Sequence, residues 1–174
     1  MKHRRDQEPE ISDLQMDQTG IRDRAKEFIG TVPVGTNCKV ILVTPENIPT
    51  IWDNVIPLME LSQTGEHELS IDDFFESLME ERMHLWIALE GSELLACMIT
   101  QFATHPQKRA LRIIFLGGEG MDKWIDHMHM VEDFALINGC TSLEVWGRKA
   151  WLRILKDWEC KYHIITKDLT ARMH

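Results

Sequence analysis

The run Ile113-Ile114-Phe115-Leu116 is apolar at every position, and Gly117-Gly118-Glu119-Gly120 follows it directly. A strand without polar alternation must be covered on both faces. The residues after the glycine turn supply one cover, because Met121, Trp124, Ile125, Met128, Val131, Phe134 and Ala135 fall on one helix face. Such a chain is expected to build a central sheet with helices on both sides.

The neighbouring segments extend that reading. Val40-Ile41-Leu42-Val43 predicts a first strand. Ile48, Ile51, Trp52, Val55, Ile56 and Met59 recur at helical spacing after Thr44 and Asn47. Pro57 is expected to kink or end that helix. Ser70 has the chemistry of an N-cap, with Asp72 and Asp73 in the first turn and a stripe of Ile71, Phe74, Phe75, Leu78 and Met79 behind it. Two strands, Leu85 to Glu90 and Leu94 to Phe102, flank the hairpin signal Gly91-Ser92. A further strand from Arg109 runs into Leu116, and Gly139 is placed to stop the helix that follows. Leu143-Glu144-Val145-Trp146 predicts the next strand. Trp151, Ile154, Leu155 and Trp158 predict a short amphipathic helix, and Tyr162 to Leu169 a last strand.

Residues 1–37 differ from the rest. The first thirty hold six Lys or Arg and seven Asp or Glu but few large apolar side chains. They cannot build a core alone, so this arm is expected to be helical or partner-dependent, ahead of a folded domain over 38–174. The net charge of −9 argues against free nucleic-acid binding, which needs clustered cations. The longest apolar runs, Leu85–Leu89 and Leu94–Ile99, are far too short to span a bilayer. No apolar export signal follows Lys2, Arg4 and Arg5. Cys38, Cys97, Cys140 and Cys160 form no Cys-x-x-Cys pair, so they read as reduced thiols of a host cytoplasm or a virion, without a metal. His127 and His129, two apart, should point to opposite sides of a helix.

The order β-α-α-β-β-β-α-β-α-β, with its central hairpin and strand–glycine turn–helix, resembles the fold of the GNAT family of N-acetyltransferases, an α/β sandwich. The resemblance covers about residues 38–170. Within it, Gly139 to Leu169 is similar to phage-encoded GNAT-like proteins, in which a Gly-Cys helix end, a strand, Gly-Arg-x-x-Trp and a final strand recur. The resemblance implies that Leu116, Gly117, Gly118, Glu119, Gly120 and Met121 occupy the place where the family holds the pyrophosphate of acetyl-CoA. The family's opening Gln or Arg is missing here, the loop is short, and Glu119 and Asp122 bring negative charge. It also implies a proton-donating Tyr on the last helix. Aligning Arg148 with the Asn that precedes that Tyr puts Leu155 in its place, and the Gly-Phe that follows becomes Glu159-Cys160. Glu144, inside a strand, is the candidate general base, or else a solvent-facing or salt-bridged carboxylate near Arg148 or Arg112; Tyr162, the one tyrosine, is the candidate acid, or else a strand-edge aromatic.

Two functions follow. The first is a GNAT-fold protein without transferase activity and without a cofactor. It would act as a structural or interaction component, most naturally of a bacteriophage particle or its assembly, as internal virion proteins with GNAT-like domains suggest by analogy. It would meet other subunits, or further copies of itself, through the N-terminal arm and the Trp-rich C-terminal helix. The alternative is an active acetyl-CoA-dependent N-acetyltransferase acting on a cationic amine, a substrate that the acidic balance favours.

Overall fold

The computed structural model describes residues 37–62, 68–146 and 149–161. Five strands form one sheet in the order β1-β2-β3-β4-β5: β1 (Cys38–Val43), β2 (His84–Glu90), β3 (Glu93–His105), β4 (Lys108–Gly118) and β5 (Ser142–Val145). The first four are antiparallel neighbours, whereas β5 runs parallel to β4. This is a mixed sheet, in keeping with the α/β sandwich that the resemblance implies.

Helices cover both faces. Helices α1 (Ile48–Ser62) and α2 (Ile71–Met79) lie on one side. There Val55, Met59, Phe74 and Leu78 meet Leu85, Cys97, Ile99 and Phe115 in one core cluster. On the other side lie α3 (Met121–Trp124), a 3-10 segment (Ile125–Met128) and α4 (His129–Ile137). Trp124, Met128, Val131 and Phe134 pack there against Val40, Trp86, Met98 and Leu111. The unbroken apolar run of β4 serves both layers, with Ile113 in one cluster and Phe115 in the other. Such two-sided burial at about 25 cal/mol per Å² of apolar area is the main stabilising term for a sheet of this kind.

Local signals explain the helix ends. The Ser70 hydroxyl accepts from the Asp73 N–H at 3.1 Å, and the Asp73 carboxylate accepts from the Ser70 N–H at 2.8 Å. This capping box satisfies two otherwise orphaned donors. Gly139, at φ +73°, sits just past α4. Its N–H donates to Leu136 O at 3.0 Å and that of Cys140 to Ala135 O at 2.9 Å, the paired bonds of a Schellman stop.

Several expectations are corrected. Of the two outcomes expected at Pro57, a kink or an end, the end is not seen, because Pro57 lies inside α1. It sits on the exposed face, and the carbonyl it leaves without an N–H belongs to Asp53, which is also exposed, so water can take the bond. Thr44 caps a 3-10 turn, Pro45–Asn47, that leads into α1. Met79 is 40% exposed and stands outside the buried stripe of α2. The segment expected as a helix around Trp151 begins as a 3-10 turn, Lys149–Arg153. Cys38, Cys97 and Cys140 are buried free thiols and Cys160 is exposed. Among the described residues, no helix is long and apolar enough to cross a membrane. The N-terminal arm and the strand expected at Tyr162 to Leu169 lie outside the described residues.

Candidate functional site

The middle strand β4 has two unequal edges. Against β3 it is paired to its end, with Ala96 opposite Gly118. Against β5 it is paired only from Ala110 to Ile113, opposite Ser142 to Val145. The register shifts beside that point. Ile99 faces Phe115 and Thr100 faces Ile113, so Ile114 is an extra, bulged residue. Beyond it, Ile114 to Gly118 have no β5 partner. A β4 edge that β5 leaves open, ending in a glycine turn, is a place where a ligand's amide groups could meet backbone.

Trp146 follows β5 at the mouth of this opening. Its ring lies 4.2 Å from the Arg112 guanidinium carbon, a cation–π distance. It stays 56% exposed, so it is no core plug. Arg112 also donates to Glu144 through Nη2 at 2.9 Å, and Lys108 Nζ donates to the same carboxylate at 2.8 Å. The bond from Lys108, then that from Arg112, holds the Glu144 carboxyl below the usual carboxylate range, against the opposing effect of burial. A carboxylate paired with two cations is a poor general base, because a base near neutrality needs a raised pKa. In this structure Glu144 is an ion-pair partner of Lys108 and Arg112. Tyr162 lies outside the described residues.

The turn Leu116 to Met121 is tight, and each of its glycines has an internal reason. A Cβ on Gly117 would come within 2.5 Å of Ser62 Oγ and 2.8 Å of Leu58 O, both on α1. One on Gly118, at φ +125°, would meet Leu95 O at 2.3 Å and Ala96 Cα at 2.5 Å on β3. Gly120 has φ +64°, which L-residues rarely adopt, with its nearest neighbours at 3.5 Å. The first two glycines thus make room for α1 and β3, and the third shapes the entry to α3.

Two of the turn's donors are engaged as well. The Gly118 N–H donates to Ser62 Oγ at 3.3 Å, and the Glu119 N–H to Leu95 O at 2.8 Å. Trp124 Nε1 donates to Glu119 O at 3.1 Å and ties the turn from behind. Lys123 is ion-paired to Glu90. That bond, with Glu93 and Asp122 nearby, raises its pKa. A pyrophosphate needs free N–H groups and an electropositive setting. Two N–H groups used inside the protein, with Glu119 and Asp122 at the helix entry, do not fit a coenzyme A pyrophosphate. Leu116 and Met121 pack against the core cluster under α3 and α4.

One other reactive group is removed from chemistry by burial. Cys97 lies under the turn, and desolvation pushes its thiol up to about 12 despite a hydrogen bond from the Gly117 backbone. A thiol so hard to ionise is no nucleophile near neutral pH. The rings of His127 and His129 are 6.1 Å apart, closer than opposite sides of a straight helix would place them. The change from 3-10 to α geometry falls between them. Among the described residues, no group of three His, Cys, Asp or Glu could hold a metal ion.

Ser62 and Leu95, which close the turn, carried no sequence signal. Ser62 stands 56 positions from its partner. The Glu144 salt bridge to Arg112 is one of the two the sequence offered, since strands joined by a helix crossover often lie side by side, and Arg148 lies outside the described residues.

No family model matches the chain, and no curated protein matches it. Solved structures do. An aminoglycoside acetyltransferase from an uncultured soil metagenomic sample, in complex with sisomicin, matches 76% of this chain and 95% of its own, at TM-score 0.58 and 12% identity. A ribosomal-protein-alanine N-acetyltransferase from Brucella melitensis biovar Abortus 2308 matches 75% of this chain and 99% of its own, at TM-score 0.54 and 11% identity. Glucosamine-6-phosphate N-acetyltransferase from Arabidopsis thaliana matches 76% and 98%, at TM-score 0.54 and 11% identity. At such identities the likeness speaks for architecture alone. Together with the sheet order and the strand–turn–helix at Gly117 to Met121, it establishes that this chain has the GNAT acetyltransferase fold.

Proposed function

We propose that this protein uses the GNAT fold as a binding or structural module and carries out no acetyl transfer. The observation that carries the proposal is the closed turn. Ser62 and Leu95 hold the Gly118 and Glu119 N–H groups that would otherwise face a phosphate. Glu144, paired with Lys108 and Arg112, and Leu155 at the position of the family's tyrosine point the same way. The partner is another protein, met through the polar arm of residues 1–36 and the exposed Trp146. The similarity of Gly139 to Leu169 to phage-encoded proteins makes a virus particle or its assembly line our choice of setting.

A second reading has one observation in its favour. The edge of β4 from Ile114 to Gly118 has no β5 partner, which leaves backbone groups for a thioester-linked ligand. An acetyl-CoA-dependent N-acetyltransferase acting on a cationic amine would use that edge.

Isothermal titration of the full chain with acetyl-CoA separates the two. The module reading expects no heat at millimolar ligand. Saturable micromolar binding would overturn it and favour the enzyme. Deleting residues 1–36 should leave the domain's melting temperature unchanged and abolish self-assembly or partner capture. Assembly that survives the deletion would remove the arm from the proposal.

A further inference from the structure

Four buried side-chain polar atoms lack a hydrogen-bond partner among the described residues: His84 Nδ1, Arg109 Nε, Asn138 Oδ1 and Ser142 Oγ. They are not scattered. Arg109 Nη1 donates to Asn138 O at 2.9 Å. Ser142 lies opposite Ala110, the residue after Arg109. The Arg109 guanidinium carbon stands 4.2 Å from the centroid of the Phe102 ring. The His84 ring meets Phe102 at 4.8 Å and Phe134 at 5.2 Å. All four atoms therefore belong to one corner, where the sheet meets the C-terminal end of α4. Folded proteins satisfy nearly all such atoms, so this corner is the least satisfied part of the described core.

We propose that the corner is an acid-operated latch: a proton taken up by His84 puts a second cation beside Arg109, between Phe102 and Phe134, and releases the end of α4 from the sheet. The surroundings of His84 support this element by element. Strand β3 offers the Phe102 ring and a backbone hydrogen bond at Thr100. The Thr100 hydroxyl is held by Trp86 Nε1 at 3.0 Å. Helix α4 offers the ring of Phe134. Strand β4 brings Arg109, whose charge opposes protonation, and the turn before β2 brings Glu81, whose charge favours it. The ion pairs among the described residues use Arg82, Lys108, Arg112, Lys123 and Lys161, and Arg109 is in none of them. At His84 the opposing charge of Arg109 outweighs the favouring charge of Glu81.

Burial lowers the His84 pKa from 6.5 to about 4. A histidine whose folded value lies below its unfolded one favours the fold while neutral. Its contribution is complete above about pH 6.5 and is lost as pH falls towards 4, on the order of a hundredfold in the folding constant by about pH 4.5.

The test compares wild type with His84→Phe by urea unfolding at neutral pH and near pH 4.5. The wild-type folding constant should fall on the order of a hundredfold further than that of the variant. Equal falls would overturn the latch. An NMR titration of the wild-type chain serves if the variant does not fold. The His84 ring signal should titrate near pH 4, and the amides of Gly139 and Cys140 should lose exchange protection over the same range while α1 keeps its own. A midpoint at 6.5, or protection retained at Gly139 and Cys140, would overturn the proposal.

Discussion

The two edges of β4 teach opposite lessons. On the β5 side, pairing stops at Ile113 and leaves a backbone edge of the kind a ligand could join. On the β3 side, pairing continues to Gly118, and the turn beyond it is filled by the protein itself. The open edge is a property of chain topology, which survives wholesale replacement of side chains. The phosphate grip depends on a few free N–H groups and on local charge, which one hydroxyl and two carboxylates can cancel. On the proposed reading, this fold keeps the shape of an acyl-transfer site without its chemistry.

The largest test of this contrast is Gly118→Val. Its side chain would enter backbone atoms of Leu95 and Ala96 at a φ of +125°. Overpacking and strain should together cost about 4 kcal/mol or more, read by urea unfolding. Unchanged stability would mean that the turn is free to move away from β3. Gly117→Ala comes next, because its Cβ would press on Ser62 Oγ and Leu58 O. A cost of about 1–3 kcal/mol is expected, and adding Ser62→Gly should recover part of it. Strict additivity of the pair would show that Ser62 does not close the turn.

Ser70→Ala probes a region remote from both edges. Loss of the capping box should cost about 1 kcal/mol and leave ligand behaviour untouched. The smallest effect is expected from Glu144→Gln. A half-exposed ion-pair network should contribute about 1 kcal/mol or less. Because Lys108 and Arg112 depress the Glu144 pKa, that contribution is present above the ordinary carboxylate range and is lost as pH falls through the folded value. The stability difference between wild type and variant should therefore vanish in acid. A large loss of amine acetylation in the variant would restore Glu144 as a base.

Much of the fold was legible because its signals are local. The Gly91-Ser92 hairpin, the Ser70–Asp73 box and the Gly139 stop each depend on a few consecutive residues. The apolar run at Ile113 to Leu116 announced two covering layers for the same reason. Pro57 does not end α1, because a missing N–H matters less where water can replace it. The helix expected around Trp151 became a 3-10 turn, since so short a segment takes its form from packing rather than from its own propensity. The closure of the turn could not be read from sequence. It needs Ser62, at the end of α1, and Leu95, the extra residue where the β2–β3 register shifts, to arrive at one place.

Backbone amide NMR of the full chain, titrated with acetyl-CoA, addresses the main claim directly. The account predicts that the Gly118 and Glu119 resonances stay in place up to millimolar ligand, because Ser62 and Leu95 already hold those protons. Saturable shifts at these two amides, reaching completion at micromolar ligand, would contradict it.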